Sequence, residues 1–169
     1  MQHTFDGMEP VIDERASVSE MAYLVGDVVV GARASLWPFV CLRGDRGSVT
    51  VGADTNVQEF TMLHGATVGD GVSIGHGAVV DFATVEDDAL VGMGSRVLGG
   101  ATVESHSIVA ANAVVTHDQT VPSGHLAYGV PAETRPLSDA QLAEIDDTRD
   151  HYVELGREFV EAGPHRYVE

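Results

Sequence analysis

The stretch from Val85 to Val121 reads VEDDAL VGMGSR VLGGAT VESHSI VAANAV VTHDQT V, so that a valine opens every block of six residues. A six-residue block is long enough for one short strand and one turn, whereas an α-helix repeats its apolar face about every 3.6 residues. The pattern therefore predicts an all-β fold, a left-handed parallel β-helix whose three strands per coil form a triangular prism. The 19 glycines suit its tight corners.

The same six-residue frame continues upstream of this stretch, with slips of phase after Leu42, Leu63 and Val80. Counting from Val18 predicts about six coils. We expect an N-terminal segment at residues 1–17, the β-helix at 18–128, and a linker with a C-terminal helix at 129–169.

The predicted C-terminal helix has recognisable ends. Ser138 can cap its start and Gln141 can complete a capping box, while Gly163 and Pro164 end it. One apolar stripe is expected along it, formed by Leu142, Ile145, Tyr152, Leu155 and Phe159. The helix should pack along the prism or against a neighbouring subunit.

Composition limits the classes of function. The net charge is −17, and all nine basic residues are arginine, which argues against a nucleic-acid partner because phosphates need cationic contacts. Acid excess without lysine is typical of proteins from salt-accumulating halophiles. Cys41 is the single cysteine, so no intrachain disulfide can form. With no signal-like or membrane-spanning segment, we expect a cytoplasmic protein without a membrane partner.

The register of the frame predicts which polar side chains meet. Leu42, Leu63 and Val80 are equivalent positions on successive coils, so the residues that follow them, Arg43, His64 and Asp81, should form a column. Neighbours in such a column are about 4.8 Å apart, close enough to share a metal ion.

A further histidine falls outside this column. His76 follows Ile74 on the face that also carries Gln58. In a cyclic trimer, one face of each prism meets a different face of the next, so His76 of one chain could complete a site with His64 and Asp81 of another.

Several motifs together resemble the γ-class carbonic anhydrases and their carbonic-anhydrase-like relatives. The resemblance covers nearly the whole chain. Its motifs are Leu42-Arg43-Gly44-Asp45, Thr55-Asn56-Val57-Gln58, Met62-Leu63-His64, Ile74-Gly75-His76-Gly77, Val91-Gly92-Met93-Gly94, Gly129-Val130-Pro131-Ala132 and Arg135-Pro136-Leu137-Ser138.

This resemblance implies a homotrimer that holds a divalent metal, usually Zn²⁺, through three histidines at each subunit interface. It also implies reversible hydration of CO₂ to bicarbonate by metal-bound hydroxide. By position, the metal ligands are His64, His76 and, where the family has its third histidine, Asp81. Fe²⁺ and Co²⁺ are alternatives to zinc for two histidines and a carboxylate.

The same resemblance assigns four more site residues. Arg43 and Asp45 match an interface ion pair, while Asn56 and Gln58 match polar residues beside the metal.

Three departures from the family pattern leave other functions open. Asp81 replaces a histidine, Arg46 replaces a glutamate, and an acidic loop is reduced to Gly65-Ala66-Thr67. An anionic ligand weakens the activation of bound water, so the enzyme could be weak, or the protein a non-catalytic assembly module. A hexapeptide acyltransferase or a coenzyme A thioesterase is a third possibility. Residue by residue, His64, His76 and Asp81 could instead be solvated surface groups, and Asn56 a corner residue.

Overall fold

The structure is a computed structural model and describes residues 1–167. It is a left-handed parallel β-helix of about seven turns with one C-terminal α-helix, α1 (Asp139–Ala162). The strands are β1 (Gln2–His3), β2 (Val11–Ile12), β3 (Ser17–Ser19), β4 (Tyr23–Val30), β5 (Ser35–Leu36), β6 (Cys41–Val51), β7 (Asn56–Val57), β8 (Met62–His64), β9 (Thr67–Val68), β10 (Ser73–Ile74), β11 (Val79–Asp81), β12 (Thr84–Val85), β13 (Leu90–Val91), β14 (Arg96–Val97), β15 (Thr102–Val103), β16 (Ile108–Val109), β17 (Val114–Val115), β18 (Thr120–Val121), β19 (His125–Tyr128), β20 (Glu133–Pro136) and β21 (His165–Tyr167).

The six-residue frame points into the core, as predicted. Every valine that opens a unit from Val85 to Val121 is fully buried. The turn count exceeds the six coils counted from the sequence, because the solenoid extends to β2 at one end and to β19 at the other.

The strands stack into three faces. Face 1 contains β3, β5, β7, β10, β13, β16 and β19. Face 2 contains β8, β11, β14 and β17, together with the first parts of β4 and β6. Face 3 contains β2, β9, β12, β15 and β18, together with the last parts of β4 and β6. β4 and β6 pass from face 2 to face 3 without a break, and this long turn absorbs the first phase slip.

Helix α1 lies along face 1. Its capping box between Ser138 and Gln141 is present, and Gly163 ends it in the left-handed conformation, as predicted. Ile145 is buried, and Tyr152, Leu155 and Phe159 pack against the core. Leu142 is the exception to the predicted stripe, since it stays 38% exposed.

The C-terminal segment also supplies the outer strands of face 1. β20 pairs antiparallel with β19, and β21 pairs antiparallel with β3. No helix in residues 1–167 is long and apolar enough to cross a membrane.

Candidate metal centre

The predicted column is present on face 2. Arg43 on β6 is in register with His64 on β8, and His64 is in register with Asp81 on β11. The His64 side chain is only 12% exposed, whereas that of Asp81 is 42% exposed. The column therefore has a protected histidine with an accessible acid on the next coil.

Three polar groups surround the His64 imidazole. Asp81 Oδ1 lies 2.8 Å from Nδ1, while Arg43 Nη2 lies 3.0 Å and Asp45 Oδ1 lies 3.3 Å from Nε2. Arg43 also donates from Nε to Asp45 Oδ1 at 2.8 Å. Partial burial acts to raise the pKa of the Asp45 carboxyl, but hydrogen bonds from Arg43 and from its own backbone outweigh it, so this pKa lies below its ordinary value.

An aromatic ring fixes the other side of His64. Phe82 meets the imidazole edge to face, with ring centroids 4.5 Å apart. Gly65 makes this approach possible, because a Cβ there would come within 2.6 Å of the Phe82 ring. The shortened loop after His64 thus leaves space for an aromatic wall.

His76 lies on face 1, at the corner that leads to face 2, as the register predicted. Its Nδ1 is 2.7 Å from Glu59 Oε2, which is buried. That oxygen nevertheless has no partner that meets hydrogen-bond geometry, so the two atoms are close but not aligned.

Glu59 was not among the residues that the sequence singled out. The register of the repeat could have identified Glu59. Val57 pairs with Ile74, so the residues two positions later, Glu59 and His76, stack on adjacent coils.

Asn56 and Gln58 form a buried network beneath α1. Gln58 Nε2 donates to Asn56 Oδ1 at 2.9 Å, and Asn56 Nδ2 donates to Ser73 Oγ at 2.7 Å. Asn56 lies in strand β7 and not at a corner with positive φ, which removes the corner alternative.

A groove of about 450 Å³ lies between face 1 and α1 beside His76. Gln58, His76, Leu90, Ile108 and Tyr152 are among its lining residues. A larger cavity of about 520 Å³, lined by acidic corner residues and Arg149, shares no residue with the candidate site.

One chain thus brings together only part of the predicted set. Arg43, Asp45, His64 and Asp81 meet on face 2, whereas His76 belongs with Gln58 on face 1. Among residues 1–167, no group of three His, Cys, Asp or Glu side chains could hold a metal ion.

Comparisons with known proteins fit this architecture. The family model described as bacterial transferase hexapeptide (six repeats) matches residues 82–117. Gamma carbonic anhydrase 1, mitochondrial, of Arabidopsis thaliana is 37% identical over 93% of this chain, which spans only 61% of the plant protein.

Protein YrdA of Escherichia coli is 33% identical over 91% of both chains. A crystal structure of a hexapeptide transferase family protein from Anaplasma phagocytophilum superposes with a TM-score of 0.92 at 34% identity, covering 94% of this chain and 97% of that one.

Proposed function

This chain belongs to the γ-carbonic-anhydrase-like family of hexapeptide-repeat proteins, and from that premise we propose that it is a homotrimeric metalloprotein that hydrates CO₂ reversibly to bicarbonate. One observation carries the proposal: His64 and Asp81 stack on face 2 while His76 lies on a different face. Such a division suits a site shared by two subunits of a ring.

The donor chemistry fits a divalent cation. His64 and His76 retain the imidazole at two of the family's ligand positions, and Asp81 keeps an oxygen donor at the third. Two histidines with a carboxylate suit Zn²⁺ best, with Fe²⁺ and Co²⁺ as alternatives. When bound, such an ion acidifies a water molecule and so supplies a nucleophile near neutral pH.

The remaining residues would orient the reactants. Asn56, which itself donates to Ser73, accepts a hydrogen bond from the Gln58 amide nitrogen, and this leaves the Gln58 amide oxygen to accept a hydrogen bond from water or bicarbonate in the groove. Arg43 and Asp45 are already paired and lie against His64, where they would hold the subunit interface.

Exposed aromatic residues support an interface at face 2. Phe39 and Phe60 stack at the corner before it, with ring centroids 5.1 Å apart, and are 53% and 66% exposed. Phe82 is 42% exposed at the corner after it. Apolar groups on both borders of one face are typical of an association surface.

Metal binding by mixed trimers tests the shared site. We expect His64→Ala and His76→Ala, purified separately without chelator, each to lose bound metal. Trimers assembled from both variants should regain it, because one interface then pairs an intact His64 with an intact His76.

His106→Ala is the matched control, since His106 lies on a later coil and should be dispensable. Wild-type protein that binds no divalent metal at high ionic strength contradicts the proposal. If the mixed trimers bind as little metal as the His64→Ala and His76→Ala trimers do, the metal site is not shared between two subunits.

Acyl transfer is a second candidate, favoured by the similarity to the hexapeptide transferase family protein of Anaplasma phagocytophilum. The net charge of −17 opposes it, because the phosphates of coenzyme A are usually met by basic residues. Saturable binding of an acyl-coenzyme A would support it.

Measuring CO₂ hydration distinguishes a non-catalytic assembly protein from a weakened enzyme. CO₂ hydration that rises in Asp81→His would indicate a weakened enzyme, whereas no activity in either protein would favour assembly alone.

A further inference from the structure

Both candidate ligand histidines have a carboxylate at the same ring nitrogen. Asp81 Oδ1 lies 2.8 Å from Nδ1 of His64, and Glu59 Oε2 lies 2.7 Å from Nδ1 of His76. In each pair the acid is on the coil next to the histidine and in register with it. The repeat therefore places an acid beside Nδ1 of a histidine on two different faces, and the His64 pair also meets hydrogen-bond geometry.

The partners of His64 determine its tautomer. A guanidinium group donates hydrogen bonds and cannot accept them, so the 3.0 Å contact from Arg43 Nη2 makes Nε2 the acceptor. Asp45 Oδ1 also lies 3.3 Å from Nε2, but it already accepts a hydrogen bond from Arg43, and the shorter 2.8 Å contact of Asp81 with Nδ1 places the ring proton on Nδ1. His64 thus carries its lone pair on Nε2, the atom that would bind a metal in place of the Arg43 hydrogen bond.

The contact with Nδ1 of His64 also bears on whether Asp81 can be a metal ligand. Its short side chain ends beside Nδ1 of His64, while Nε2 lies across the ring and farther from the backbone. As it is oriented here, the carboxylate contacts Nδ1 and not the Nε2 atom that would hold a metal. A histidine at this position would be long enough to reach the metal, so replacing it with aspartate changes the reach of the side chain as well as its charge.

We propose that Asp81 and Glu59 are positioning residues that orient His64 and His76 through Nδ1, and that Asp81 does not take the third ligand position. The inference rests on the proposed function for its metal and for the two histidine ligands, and it replaces the third ligand of that proposal, Asp81, by a positioning contact to His64. Carboxylates that accept from the distal N–H of a ligand histidine fix its tautomer and raise its basicity.

Paired substitutions distinguish positioning from ligation. Asparagine can accept the Nδ1 proton of His64 but is a poor ligand for zinc, whereas alanine can do neither. We expect Asp81→Asn to bind Zn²⁺ within about 10-fold of wild type in competition with a chromophoric chelator, and Asp81→Ala to bind about 10- to 100-fold more weakly. Glu59→Gln and Glu59→Ala should behave in the same way, and Glu133→Ala, at an exposed acid of β20, is the control.

A measurement on metal-free protein separates this inference from the function on which it rests. Long-range ¹H–¹⁵N NMR at mildly alkaline pH should find His64 protonated on Nδ1 in wild type and in Asp81→Asn, and should find a larger share of the Nε2–H tautomer in Asp81→Ala, where Asp45 beside Nε2 can accept that proton. That result holds even if wild type binds no zinc, which would contradict the proposed function alone. An Nε2–H tautomer in wild type overturns the inference, and so does an Asp81→Asn variant that binds zinc as weakly as Asp81→Ala.

Discussion

The corners of the early coils differ from those of the late coils in the residues that adopt positive φ. In the late coils, these positions hold Gly94, Gly100, Asn112 and Asp118, the residue types that tolerate this conformation. In the early coils, the same corners hold Gly65 and Gly77 but also Phe39, Phe60 and Phe82, with φ values of 63°, 64° and 48° for the three phenylalanines.

Bulky side chains at positive φ are rare and cost roughly 1–2 kcal/mol each. The difference suggests that the late coils are selected for the fold itself, and that the early corners are selected for what their side chains contact. The phase slips of the hydrophobic frame and all the candidate site residues fall in the same early coils. The predictions below test this division.

The largest effect is expected in the core of the late coils, where no candidate site residue lies. Val103→Asp would bury an unpaired charge at a fully buried position and should cost more than about 4 kcal/mol, enough to prevent folding. Thr102→Asp, one residue earlier on the same strand and half-buried, should fold. Circular dichroism and chemical denaturation distinguish the two, and a folded Val103→Asp protein would refute the assigned core register.

An intermediate effect is expected at the early corners. Phe60→Gly removes an exposed ring and also relieves a strained backbone, so the single chain should keep its stability. If the ring belongs to the subunit interface, self-association should weaken by about 30-fold, the loss typical of an interface hot spot of about 2 kcal/mol.

Sedimentation velocity over a concentration series measures this change in association. Asn112→Gly, at a late corner of the same conformation, should associate as wild type does. Equal association by both variants would remove the distinction between early and late corners.

The smallest expected effect is a pH dependence of stability. It arises at the early end of the prism, which β21 covers. His165 is buried against Ser17, Trp37 and Phe159. Burial lowers its pKa below the ordinary value, and the Glu59 carboxylate offsets this only in part. The folded protein therefore keeps His165 neutral at pH values where the unfolded chain already binds a proton.

The sign of the effect follows from this difference. The contribution of neutral His165 to the stability of the folded protein is complete above its pKa in the unfolded chain, which is about 6.5. This contribution is lost as the pH falls from there through the lowered pKa that His165 has in the folded protein. Denaturation midpoints should therefore drop more between pH 8 and pH 5 in wild type than in His165→Gln, which does not titrate. An equal drop in both proteins would contradict this role of His165.

Much of this structure could be predicted from the sequence. Counting through the slips was sufficient to stack His64 with Asp81 and to separate His76 from them, because register in a parallel β-helix follows directly from residue spacing. The capping box at Ser138 was equally local and equally predictable.

What could not be predicted depends on side-chain direction and on distant contacts. Spacing brought Asp81 beside His64 but did not reveal that its carboxylate would meet Nδ1. The exposed Leu142 and the pairing of β21 with β3 depend on how the chain returns over face 1, and no periodic signal encodes that path.

The two antiparallel strands at opposite ends of face 1 have a mechanical consequence. A stack of repeats behaves as a one-dimensional array that frays from its ends and can add further strands there. Here one continuous segment, from β20 through α1 to β21, covers the last strand of that stack and also the first. Fraying at either end must therefore detach a segment that is anchored at the other, which couples the two ends and makes antiparallel strands, instead of the parallel strands of the repeat, the edges of this face.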